Sequence, residues 1–186
     1  MVALLFTEKT TKDTKMSETA KYRHLFLPYC QGNGLDIGFG GDPIIDTAIC
    51  FDLPERYSHV GEKPQHIKGD ARDLSMFRDD CLDYVYSSHC IEDFGYTEGV
   101  LAEWSRVLKH EGYLCLLFPD QQVYEQRSNT LNSEHKHKNF GLQFVLNVIY
   151  KMNLDEYTYR YKLKVILKKE LFDNNDYNCA LILQKV

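Results

Sequence analysis

The stretch Leu35-Asp36-Ile37-Gly38-Phe39-Gly40-Gly41-Asp42-Pro43 reads as a buried strand that stops in a glycine-rich turn. A second apolar run, Ala48-Ile49-Cys50-Phe51-Asp52, follows and ends on a carboxylate. A strand, a glycine turn and an acid on the tip of the next strand make a nucleoside-binding edge of an α/β sheet. Glycines let the backbone approach a ligand that a Cβ would block. The acid can accept both hydroxyls of a ribose.

The spacing argues against a nicotinamide dinucleotide. That fingerprint carries a third glycine opening a full helix, whose N-terminus holds a pyrophosphate. Here Pro43 stands at the third-glycine position, and only ten residues, Gly38 to Thr47, separate the two strands. After the turn too few remain for a helix of ordinary length, so a pyrophosphate loses its main support. A cofactor with a ribose and no phosphate is easier to accommodate. S-adenosylmethionine is such a cofactor.

A chain of 186 residues with net charge −5 has the size and composition of one globular domain. No apolar run approaches a membrane span. Met1 to Phe6 is too short for a signal-peptide core and no basic region precedes it. Cys30, Cys50, Cys81, Cys90, Cys115 and Cys179 form no C-x-x-C pair. They are read as reduced core residues of a cytoplasmic protein rather than a disulfide or zinc set, and no metal is expected.

Residues 1–18 are expected to form a flexible arm and 19–186 a single domain. Ala20 to Cys30 reads as a short helix, and strands are expected at Ala48–Leu53, His66–Ala71 and Leu82–His89. Thr97 to Gly112 reads as a helix capped by Thr97 and stopped by Gly112, with Val100, Leu101, Trp104, Val107 and Leu108 on its buried face. Tyr113 to Phe118 reads as a buried parallel strand. A polar stretch, Gln121 to Lys138, precedes a helix near Phe140 to Met152. Strands at Tyr157–Lys168 and Asn178–Lys185, joined by the turn Asp173 to Asp176, close the chain as a hairpin. The expected fold is α/β and Rossmann-like: a mostly parallel sheet, an antiparallel C-terminal hairpin, and reduced helices after strands one and two.

Four motifs in register, over roughly residues 20 to 120, resemble the class I S-adenosylmethionine-dependent methyltransferases, in particular a small methyltransferase-domain family. They are Asp36-Ile37-Gly38-Phe39-Gly40, Gly69-Asp70-Ala71, Ser87-Ser88-His89, and Glu103-Trp104-Ser105-Arg106-Val107-Leu108-Lys109-His110-Glu111-Gly112. The resemblance implies that Asp36, Gly38 and Gly40 line the methionine end of the cofactor. It implies that Asp52 holds the ribose with Leu53 near the adenine, and that Asp70 and Ala71 meet the adenine amino group. Ser88 and His89 would sit beside the sulfonium and the acceptor. For Asp70 the alternative is a turn-forming acid, and for Asp52 a strand-end cap. Asp93 stands where relatives often have a second histidine.

Methyl transfer is an in-line displacement on an activated cofactor, so the protein aligns the reactants and excludes water. A general base is needed only where the acceptor must shed a proton early. His89 is the first candidate, against a purely positioning role. Glu92 is the second, together with Asp93, against capping of the next helix. His135 and His137 are spaced to share a face on a strand. They could contact substrate, hold a metal with further ligands, or lie in a solvated loop. Tyr124 and Arg127 belong to the same lid region. Arg160, Lys162, Lys164 and Lys168 alternate with apolar residues, which gives a solvated basic face or a rim for an anionic partner. The acidic balance argues against nucleic acid. The expectation is therefore a methyltransferase acting on a small molecule or a glycan or lipid intermediate. The rival is a non-catalytic S-adenosylmethionine-binding regulator or scaffold subunit.

Overall fold

A computed structural model describes residues 16–56, 61–129 and 132–186. Most of the expected arm lies outside them. Ser17 and Glu18 do not belong to an arm: Ser17 Oγ accepts from Ala20 N at 2.9 Å and caps helix α1 (Glu18–Phe26).

Seven strands form one sheet. They are β1 (Gly34–Ile37), β2 (Ile49–Asp52), β3 (Ile67–Lys68), β4 (Leu82–Ser88), β5 (Leu108–Pro119), β6 (Leu163–Leu171) and β7 (Asn178–Lys185), in the order β3-β2-β1-β4-β5-β7-β6. The first five run parallel, and β7 is antiparallel to both its neighbours. This is the expected Rossmann-like sheet with its closing hairpin. No helix separates β1 from β2, or β2 from β3, among the described residues.

Alternation along the strands builds two cores. Val85, Leu114, Leu116 and Leu181 face helices α2 (Thr97–Arg106) and α4 (Leu142–Leu154), with Trp104 and Val145 packed against them. Tyr84, Tyr86, Cys115 and Leu117 face the other way, onto Phe26 of α1. Helix α1 thus covers the face left bare by the missing crossover helices.

Several boundaries differ from the expectation. Helix α2 ends at Arg106, and Gly112 lies inside β5. The buried Lys185 Nζ donates to the carbonyls of Ser105 (3.0 Å), Arg106 (3.2 Å) and Leu108 (2.7 Å), and to Asp80 Oδ1. A cation therefore stops the helix from the end of β7. Thr97 is the first helical residue rather than the cap, and Tyr96 takes the cap position. The third strand shrinks to two residues because Gly69 and Asp70 turn away. Part of the polar stretch folds as α3 (Gln121–Ser128), capped by Asp120 Oδ1 accepting from Val123 N at 3.1 Å. Strand β6 starts at Leu163 and is irregular between Val165 and Leu167, which breaks the regular basic–apolar alternation on this edge.

Candidate active site

The strand order reverses at β1 and β4, and a ligand cavity is expected outside the carboxyl ends of strands at such a point. A cavity of about 370 Å³ opens there, walled by the ends of β1, β2 and β4 and by the turns that follow them. It brings together Gly38, Gly40, Asp52, Leu53, Asp70, Ala71, Ser88, His89 and Glu92 from the sequence reading. Asp36 is not on its wall.

Gly38 and Gly40 adopt φ of +68° and +58°, a region that favours residues without a Cβ. A Cβ on Gly38 would also lie 2.9 Å from Cys90 Cβ. Asp52 fixes the turn they form. Its Oδ2 accepts from Gly40 N at 3.2 Å and its Oδ1 from Leu53 N at 2.8 Å. Leu53 is left 41% exposed at the rim, an apolar surface available to a flat ring. Asp70 accepts from Arg72 N at 2.9 Å and from the Arg72 guanidinium, which holds its carboxyl below the usual carboxylate range. Trp104 Nε1 donates to Ala71 O at 2.8 Å and anchors this wall.

Asp36 lies wholly buried beneath the glycine turn. Its Oδ2 accepts from Ile44 N at 2.6 Å, and its Oδ1 has no partner. Burial raises its carboxyl well above the ordinary range, with Asp42 and Asp52 adding to the rise. A carboxyl that binds its proton more tightly folded than unfolded makes the protein less stable as pH rises above about 4. Asp36→Asn removes that penalty, since the amide oxygen can still accept from Ile44 N. We expect a gain of about 1–3 kcal/mol at pH 8 and a smaller one at pH 4 in urea denaturation. Equal or lower stability at pH 8 would show that Asp36 is charged and well compensated.

The far end of the cavity is built from groups that are distant in sequence. His89 has φ +51° at the end of β4, and its Nε2 lies 2.6 Å from Asn178 Oδ1. Glu92, in the 3-10 turn Ile91–Asp93, is 1% exposed. Its Oε1 lies 3.5 Å from His89 Nδ1 and 3.9 Å from His135 Nε2. His135 Nδ1 meets Gln121 Oε1 of α3, and its ring packs on Tyr124. Burial lowers the affinity of both imidazoles for a second proton. Burial, helped by Asp93, raises the Glu92 carboxyl well above its ordinary range. A neutral carboxylic acid beside two neutral imidazoles suits this environment better than ion pairs.

The two lid histidines part company, because their segment is a set of turns and not a strand. His137 Nε2 meets Thr97 Oγ1 at 3.3 Å and its ring lies against Phe140 and Phe144. Arg127 donates to Phe172 O at 2.9 Å, outside the cavity wall. Among the described residues no group of three or more His, Cys, Asp or Glu is arranged to hold a metal ion. Sequence reasoning missed Ser17, Glu18 and Thr19, which bring the start of α1 to the cavity. No local signal marks them.

Among the described residues no lysine or arginine lines the cavity, although Asp52, Asp70, Glu92 and Asp93 do. The described wall therefore offers a pyrophosphate no side-chain cation. The acids suit ribose hydroxyls, an adenine amino group and a positive charge, so the residues fit S-adenosylmethionine.

Comparison with known proteins finds the same fold. Residues 44–116 match a methyltransferase-domain family. An S-adenosylmethionine-dependent methyltransferase from Archaeoglobus fulgidus superposes with a TM-score of 0.64 at 18% identity, covering 90% of this chain and 92% of that one. A protein from Pyrococcus horikoshii superposes with a TM-score of 0.67 at 18% identity, covering 94% of each chain. A Haloferax volcanii structure that pairs a methyltransferase with the Trm112 activator gives 0.61 at 16% identity, covering 89% and 88%. The sequence has no significant match among curated proteins.

Proposed function

We propose that this chain is a class I S-adenosylmethionine-dependent methyltransferase, a reading supported by the methyltransferase-domain match over residues 44–116 and by the fold, and that it transfers the methyl group to a small-molecule acceptor, a class that extends to glycan or lipid intermediates. The carrying observation is the cavity at the strand ends: a left-handed glycine turn, Asp52 and Asp70 on the wall, and, among the described residues, no lysine or arginine. In this reading Gly38 and Gly40 admit the methionine end, and Asp36 supports the turn from beneath. Asp52 takes the ribose, Leu53 covers the adenine, and Asp70 with the Ala71 backbone takes the adenine edge. Ser88, His89 and Glu92 face the acceptor. The cofactor supplies an activated methyl group, and the protein contributes alignment and exclusion of water. The six cysteines are all free, which suits a reducing compartment such as the cytoplasm. Among the described residues no helix is long and apolar enough to cross a membrane.

Isothermal titration calorimetry with S-adenosylmethionine, S-adenosylhomocysteine and NAD tests the reading. Saturable binding of the first two without NAD supports it. Absence of binding to either would favour a scaffold that has lost the site.

A further inference from the structure

We propose that Glu92, His89 and His135 form one proton-accepting unit at the acceptor end of the cavity, and that the acceptor it takes is an amine. The proposal rests on the methyltransferase reading above and names its substrate class.

The tautomers of both imidazoles are fixed by amides. Asn178 Nδ2 donates to Glu18 Oε2 at 2.9 Å and to Asp176 Oδ1, so Asn178 Oδ1 faces His89 and His89 Nε2 must be the donor. Gln121 Nε2 donates to Glu125 Oε1 at 2.8 Å, so Gln121 Oε1 faces His135 and His135 Nδ1 must be the donor. The two nitrogens left with a lone pair, His89 Nδ1 and His135 Nε2, lie 3.5 Å and 3.9 Å from Glu92 Oε1, beyond a hydrogen bond, on residues that line the cavity. Glu92 Oε2 is buried on the cavity wall with no hydrogen-bond partner. A buried polar atom left in that state is expensive unless a ligand completes it.

Charge selects the ligand. Glu18, Asp93 and Glu134 line this end of the cavity around the neutral Glu92, and the two lysines paired to that wall among the described residues are already engaged, Lys21 by Glu18 and Asp176 and Lys136 by Glu134. Among the described residues the wall offers a carboxylate or phosphate acceptor no free lysine or arginine and sets acids against it, whereas an ammonium group is attracted. An ammonium has no free lone pair, so it must lose a proton before it can attack. Its N–H bond breaks and an N–H bond forms on His89 or His135, which moves the positive charge into the unit beside Glu92. The freed nitrogen lone pair then forms the N–CH3 bond while the C–S electron pair stays on sulfur. The product leaves as an N-methyl ammonium.

The test uses the full chain labelled with 15N-histidine and saturated with S-adenosylhomocysteine. Long-range 1H–15N spectra should show His89 protonated on Nε2 and His135 on Nδ1, both neutral at pH 7. Methylammonium is small enough to enter whatever the natural acceptor, and it should shift both rings saturably. Formate at equal ionic strength should not. Glu92→Gln should weaken the methylammonium response about tenfold while the remaining histidine signals stay in place. The opposite tautomers, an equal response to formate, or a methylammonium response unchanged in Glu92→Gln would overturn the proposal. Failure of S-adenosylhomocysteine to bind at all would overturn the reading beneath it, a separate outcome seen by calorimetry before any probe is added.

Discussion

Trp104→Ala is expected to destabilise the protein by about 3–5 kcal/mol, the range for removing a fully buried aromatic side chain. Trp104 has no exposed surface and sits edge-on to Phe94 with ring centroids 6.2 Å apart. Its indole also donates to Ala71 O, on the cavity wall next to Asp70. The substitution therefore opens a void and frees the Ala71 wall of the cavity, where we propose the adenine sits, together. Trp104→Phe separates the two effects: it keeps most of the packing, loses the hydrogen bond, and should cost about 1–2 kcal/mol. Trp104 is the one tryptophan of the chain, so unfolding is followed by circular dichroism rather than intrinsic fluorescence. A loss below about 1 kcal/mol in the alanine variant would mean that the neighbours collapse into the gap.

Asp52→Ala is expected to weaken S-adenosylhomocysteine binding by about 1–3 kcal/mol, roughly five- to 150-fold. Two losses combine. The ribose loses its acceptor, and Gly40 N and Leu53 N lose the carboxylate that shapes the turn. Calorimetry gives the affinity, and thermal denaturation without ligand reports the second loss alone. Unchanged affinity would remove the ribose from this carboxylate. A drop in stability with unchanged affinity would reduce Asp52 to a strand-end cap.

The readable parts of this chain are those where local pattern and tertiary demand coincide. The β1–glycine turn, β4 and β7 are apolar runs bounded by turn residues, and each lies within a few residues of its expected place. Leu108 to Gly112 misled because Val107 and Leu108 satisfy a helical stripe as well as a buried strand, and the group that decides between them is Lys185, far along the chain. Helix α3 was missed because its residues carry little apolar signal, although Asp120 is a recognisable cap. The strand-tip side of the cavity comes from contiguous motifs, so most of its lining, Gly38, Gly40, Asp52, Leu53, Asp70 and Ala71, could be picked out in the sequence, Asp36 excepted. The acceptor side could not. His135 arrives through turns without periodicity, Asn178 from the final strand and Glu18 from the first helix, and only folding brings them to Glu92.

The place of β7 also sets an order of assembly. It is the last of the seven described strands in chain order, yet it lies between β5 and β6. During vectorial synthesis β5 must wait for its second neighbour with Leu114 to Phe118 along an unpaired edge, and such edges recruit other chains. The parallel half of the sheet can form earlier, but α2 gains its stop, and His89 its Asn178 partner, only when β7 docks. Pulsed hydrogen exchange during refolding should therefore protect β1 and β4 amides before those of β7. Simultaneous protection would mean that the whole sheet closes in one step.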